Sequence, residues 1–201
     1  MFGRMHITDV VKHLLIINIL MWFGTVLLMG EPANAFNLIN ERSTDFSEWG
    51  RLRLAMFFPT SDYFRPFQIV THMFMHDGAS MTHLFFNMFA LFMFGPPLEA
   101  RWGPQRFLKF YLITGFGALF LHMFVTWFEI AYLGQSPYAA NVPVLGASGA
   151  VFGLLAGYAM MFPNNQLMLI FPPIPMKAKY FVLIYAAIEL FMGLSPYQTG
   201  I

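Results

Sequence analysis

The chain has 201 residues, 58% of them hydrophobic and 10% charged, with a mean hydropathy of +0.59. That is far too apolar for a soluble domain and indicates an all-α, polytopic membrane helix bundle with room for five or six spans around one core. A net charge of +1 with no basic-aromatic run argues against nucleic acid, and the lack of cysteine excludes disulfides, a thiolate nucleophile and cysteine-based metal sites.

In chain order, the uncharged run from His13 to Gly30, about residues 13–30, is near the minimum for a span. Arg4 and Lys12 precede it and predict a cytoplasmic N-terminus. A rival reading is a cleaved signal peptide ending at Ala33-Asn34-Ala35. Residues 31–79 form a long mixed loop. Its apolar pieces, Leu52 to Phe58 and Phe67 to Met75, are too short to span and predict helices lying in the outer interface. Further spans are expected at about 80–98 and 107–128, joined by a loop carrying Glu99, Arg101, Arg106 and Lys109. No charge occurs from Ile130 to Met176. That stretch holds an outer loop, a span at 148–162 and a turn at Pro163-Asn164-Asn165; a fifth span follows at 178–194. Seven of the eleven Lys and Arg then lie on one side, the cytoplasmic one.

Two polar constellations stand out. Ser148 sits in Gly146-Ala147-Ser148-Gly149 at the start of an apolar helix, with glycines recurring at 149, 153 and 157. A helix N-terminus favours negative charge, which a nucleophilic serine needs because its attack creates an oxyanion. The plainer reading is a helix-capping serine followed by a close-packing glycine ridge. From Ser148 to Phe162 the helix would be about 22 Å long, against about 30 Å of hydrocarbon, so the serine is expected below the outer surface beside a water-filled cavity. His83 and Asn87, spaced i and i+4, share a face of the second span and can both donate hydrogen bonds. They suit an oxyanion hole or a plain interhelical hydrogen bond. His72 and His76 repeat the spacing, but no acidic residue stands as a third ligand and His-Glu-x-x-His is absent, so no metal is expected. Glu189, about ten residues up the fifth span, is expected near mid-membrane, either functional or paired with a neighbour.

Gly146-Ala147-Ser148-Gly149 resembles the Gly-x-Ser-Gly motif of the rhomboid intramembrane serine proteases, and His83-Leu84-Phe85-Phe86-Asn87 their His-x-x-x-Asn motif. Thr71 to His76 and Glu99, Arg101 and Gly103 are also similar to the family, over roughly residues 50 to 200. The resemblance, to the bacterial type, implies a rhomboid-like bundle of six spans, five of them in this chain. It implies Ser148 as nucleophile and His83, Asn87 and the Ser148 backbone N–H as oxyanion donors. Glu99 would be a structural tie, and no cofactor is needed. The partners implied are transmembrane protein substrates and the lipid bilayer, with a membrane complex as a further option, at a bacterial inner membrane. The family's base, a histidine on the sixth span, has no counterpart here, because none of the six histidines follows Ser148. The 201-residue chain is therefore expected to be inactive by itself, with the face of Gly149, Gly153 and Gly157 uncovered. A Trp-Arg pair of the first loop is not recognisable either, Trp49 and Arg51 being nearest. The alternatives are a rhomboid-like protein that binds transmembrane clients without cutting them, and a small transporter or channel subunit.

Overall fold

A computed structural model describes residues 7–29, 53–76, 81–168 and 175–193, with side chains for all of these except 27–29, 138 and 188–193. Trp49, Arg51 and the Ala33-Asn34-Ala35 segment lie outside them, as does the side chain of Glu189.

The first helix, α1 (Asp9–Met29), starts four residues earlier than the apolar run suggests. Its start is held from across the molecule. The buried Glu99 carboxylate accepts the Val10 and Val11 backbone N–H groups at 3.1 and 3.0 Å, and the Thr8 hydroxyl as well. Those are first-turn donors with no partner inside the helix, and a carboxylate there also meets the positive end of the helix dipole.

The first loop contributes α2 (Gln68–Thr71) and a 3₁₀ turn, His72–Phe74. Of the two interfacial helices expected, Phe67 to Met75 is thus largely helical. The piece from Leu52 to Phe58 is not: beyond Arg53 and Leu54 its backbone is extended, and Met56 forms a β-bridge with Val144. Met56 and Phe58 find backbone partners in the loop ahead of Ser148, and Leu54 and Phe57 find side-chain partners in Thr71 and Gln68, which is why the piece does not coil.

Three long apolar helices make the frame: α1, α3 (Met81–Trp102) and α4 (Pro104–Tyr132) are each long and apolar enough to cross a bilayer. Helix α3 runs through Pro96 and Pro97, and Gly95 beside them lets α1 close in, since a Cβ there would sit 2.6 Å from Val11 Cγ2. Gly103, at φ +81°, turns the chain between α3 and α4, and Pro104 opens α4 at the first-turn position where its missing N–H costs nothing. After a 3₁₀ turn, Pro137–Asn141, comes the shorter α5 (Ser148–Met161). The turn at Pro163 to Asn165 then leads into a two-stranded antiparallel ribbon, β1 (Gln166–Met168) and β2 (Pro175–Lys177), that the all-α reading does not contain. Asn165 supports it, its carbonyl accepting the Ala178 N–H at 2.8 Å and its amide donating to the Tyr158 hydroxyl at 3.1 Å. The last helix, α6 (Ala178–Gly193), packs on α5, as do α3 and α4, while α1 packs on α3. The core around α5 is apolar and aromatic: Leu91, Leu98, Phe107, Tyr111, Leu154 and Ala150 are buried there.

The glycine ridge of α5 corrects an expectation. It is not uncovered but faces α4: a Cβ on Gly149 would overlap Ala118, one on Gly153 would overlap Thr114, and one on Gly157 would press on Trp102 and Phe110 at 3.1 and 3.2 Å. The small ridge is matched by the small Ala118 and Thr114, which lets the two backbones approach closely. The side of α5 left open is a neighbouring one, carrying Ser148, Ala156 and Met160, the last 82% exposed.

Candidate active site

Ser148 is the first residue of α5, and the N-cap position belongs to Ala147, which offers no side-chain cap. The capping role for Ser148 is therefore not what the structure shows. Among the described residues the exposed Ser148 hydroxyl has no hydrogen-bond partner. The first intrahelical bond is Val151 N–H to the Ala147 carbonyl at 2.9 Å, so the N–H groups of Ser148 and Gly149 precede the ladder and are free of it.

Gly146 brings the pieces together. At φ +122° it adopts a backbone that side-chain-bearing residues rarely take. A Cβ there would lie 3.0 Å from His83 Cε1, 3.4 Å from His83 Nε2 and 3.5 Å from Ser148 Oγ. The imidazole and the hydroxyl thus flank the same bare Cα, though they come from α3 and α5, 65 residues apart in sequence. Asn87 lies one turn further along α3, buried, with its amide donating to the His83 carbonyl at 2.9 Å. One of its two N–H groups is spent on its own helix, leaving the second.

The loop ahead of Ser148 is held by the first loop. Met56 and Val144 exchange backbone bonds at 2.9 and 2.8 Å, the Phe58 N–H reaches the Ala140 carbonyl at 3.3 Å, and the Gly146 N–H donates to the His72 carbonyl at 2.9 Å. The Ser61 hydroxyl donates to Asn141 Oδ1 at 2.6 Å. The first loop is ordered in turn by Gln68, a residue that the motif reading passes over. Fully buried, it accepts the Phe57 and Arg65 N–H groups on Oε1 and donates to the Arg53 and Tyr63 carbonyls from Nε2. A lone polar residue in an apolar stretch, three residues after Arg65, gives the only sequence signal for it. The loop is pinned to the bundle where Met73 fills the space that a side chain on Gly115 of α4 would need.

His72 is buried and donates from Nδ1 to the Gln68 carbonyl at 2.9 Å; burial is the main cause that holds its pKa below the ordinary histidine value. His76 is wholly buried, and its ring lies 5.6 Å, centre to centre, from that of His83. Burial, then the nearby His83, push its pKa down to about 4. No group of three or more metal-ligating side chains gathers among the described residues.

An apolar helical membrane bundle with an unpartnered serine at the head of its shortest central helix, faced by a histidine from a neighbouring helix, defines a class of intramembrane protein built around a polar centre. The chain belongs to the rhomboid family: residues 63–200 match the rhomboid domain. It is 34% identical over 94 residues to rhomboid protein 1, mitochondrial, of Saccharomyces cerevisiae, a stretch that is 46% of this chain and 25% of that protein. It is 34% identical over 101 residues to rhomboid protease GluP of Bacillus subtilis (50% of this chain, 17% of that one). With rhomboid protease AarA of Providencia stuartii it shares 33% over 101 residues (48% and 34%). The matched stretch thus covers about a third or less of these relatives. No solved structure matches the chain significantly.

Proposed function

We propose that this chain carries the serine centre of an intramembrane endopeptidase that cleaves single-span membrane proteins. The observation that supports this best is the unengaged Ser148 hydroxyl at the N-terminus of α5, with the His83 imidazole across Gly146. In this reading Ser148 Oγ attacks the scissile carbonyl carbon and gives its proton to a base. The carbonyl oxygen becomes an oxyanion and takes hydrogen bonds from the Ser148 backbone N–H, His83 and the second N–H of Asn87. The tetrahedral species then expels the amine half of the substrate, which takes the proton back from the base, and water, deprotonated by the same base, hydrolyses the acyl half from Ser148 and returns the serine hydroxyl. Gly146 keeps the space between His83 and the serine free of a side chain, and Gly149 lets the head of α5 close on Ala118 of α4. Glu99, Gly153 and Gly157 hold the helices that carry the site. The dyad's base would be a histidine, and none follows Ser148 within these 201 residues. The protein sits in a bacterial inner membrane with its N-terminus in the cytoplasm, and its partners are transmembrane substrates.

The test uses the purified protein in detergent and in liposomes. Wild type should label at Ser148 with a fluorophosphonate and cleave a transmembrane substrate; Ser148→Ala should do neither. His83→Ala or Asn87→Ala should lower turnover on the order of 10²–10³-fold, the usual cost of losing one oxyanion donor. Retained cleavage by Ser148→Ala would overturn the assignment. The second reading, a protein that binds transmembrane clients uncut, is favoured by the lack of a histidine after Ser148. It is selected instead if the purified protein captures such a client without cutting it.

A further inference from the structure

His76 has no part in the chemistry assigned to Ser148, His83 and Asn87, yet it is the wholly buried imidazole nearest to them. Neither ring nitrogen makes a well-formed hydrogen bond among the described residues, the Phe74 backbone being the polar group that its ring meets. The chain leading into it is held at two points. Met73 is seated at Gly115 of α4, and the His72 carbonyl holds the Gly146 N–H. His83 is correspondingly confined, between the bare Cα of Gly146, 3.0 Å from a Cβ built there, and the His76 ring, tilted 55° to it at 5.6 Å.

We propose that His76 is a positioning residue for His83: its buried ring packs against the His83 imidazole and fixes the rotamer from which His83 donates to the oxyanion. The inference rests on the proteolytic reading of Ser148. The first loop then does more than wall the site, since it carries a side chain that sets the aim of a donor on another helix. Small displacements matter there, because an ångström of misplacement can cost about 10²-fold in rate. His76 touches neither nucleophile nor substrate and acts through His83 alone.

Coupling is the signature of that role. In the purified protein His76→Ala should lower kcat about tenfold with KM unchanged, with rates referred to the fraction of enzyme titrated at Ser148 by fluorophosphonate. His76→Phe, which keeps a ring of similar size, should recover most of the loss. In the His83→Ala background, His76→Ala should cost nothing further, because the group that it positions is gone. Independent, multiplying losses in the double variant would overturn the inference, as would a His76→Ala enzyme with wild-type kcat. If His76→Ala does not fold, the same cycle run with His76→Phe and His76→Gln decides it. Failure of wild type to label at Ser148 would sink the proteolytic reading instead, and is seen before any His76 variant is made.

Discussion

Gln68 shows how much one side chain can decide. Its amide makes four hydrogen bonds to backbone groups spread over residues 53 to 65, and it is fully buried. Gln68→Ala would leave two N–H groups and two carbonyls unanswered, at about 1–3 kcal/mol for each group that stays buried. Thermal unfolding in detergent should drop by several degrees, and Ser148 labelling should weaken with it, because the loop before Ser148 leans on this one. An unchanged melting temperature would mean that water replaces the amide without loss. The neighbouring histidines set a pH response. His76 takes up a proton only near pH 4 when folded, against about 6.5 in the unfolded chain, and His72 is shifted the same way. Between those values the unfolded state binds more protons, so the stability present above about pH 6.5 is lost as the pH falls toward 4. Melting temperatures measured across that range should fall on acidification, and more shallowly in His76→Phe. Sequence made Ser148, His83, Asn87 and Gly146 visible because their motifs are short and chemically distinctive. Gln68 was not legible, and His76 was visible only as half of a histidine pair and the end of the Thr71 to His76 run, because what either does depends on what surrounds it, and burial and partners are tertiary facts.

At the scale of elements, α5 against α4 is the tightest contact, and it depends on absent side chains. Gly153→Leu would drive a side chain into Thr114 and push α5, with Ser148 at its head, off α4. Overpacking of this kind typically costs about 1–3 kcal/mol. Gly117 on α4 has only open space within 4 Å of where a Cβ would stand, so Gly117→Ala should be neutral or should stabilise by up to about 1 kcal/mol. Equal tolerance of the two substitutions in a detergent melt would refute the close packing. Periodicity in the sequence announced that a ridge existed and left its partner open, because small residues every fourth position fit any close neighbour. The choice of α4 came from Ala118 and Thr114, whose match is visible only in three dimensions. The helix starts were legible to within four residues. The extended backbone at Met56 was not, because the bridge to Val144 that holds it joins residues 88 apart.

For the whole molecule, two ends can be told apart. The Glu99 turn, with Arg101, Arg106 and Lys109 near it, holds the start of α1. The other end joins the first loop to the loop before Ser148. The basic end should be cytoplasmic. The chain has no cysteine, so single cysteines report cleanly: Asp62→Cys should react with an impermeant maleimide from outside, and Gln105→Cys only after permeabilisation. The reverse pattern would invert the orientation.

The glycine ridge also bears on biogenesis. Helix α5 has 14 residues, about 21 Å of rise, too short to settle across a bilayer on its own. Its matching surface, Ala118 and Thr114, lies on the helix that the ribosome delivers immediately before it. We expect α5 to enter the membrane as the second arm of a hairpin with α4 rather than as an independent segment, and Gly153→Leu to leave it stranded at the translocon. Nascent chains stalled beyond α5 should show it crosslinked to α4, and a crosslink to lipid alone would contradict that order.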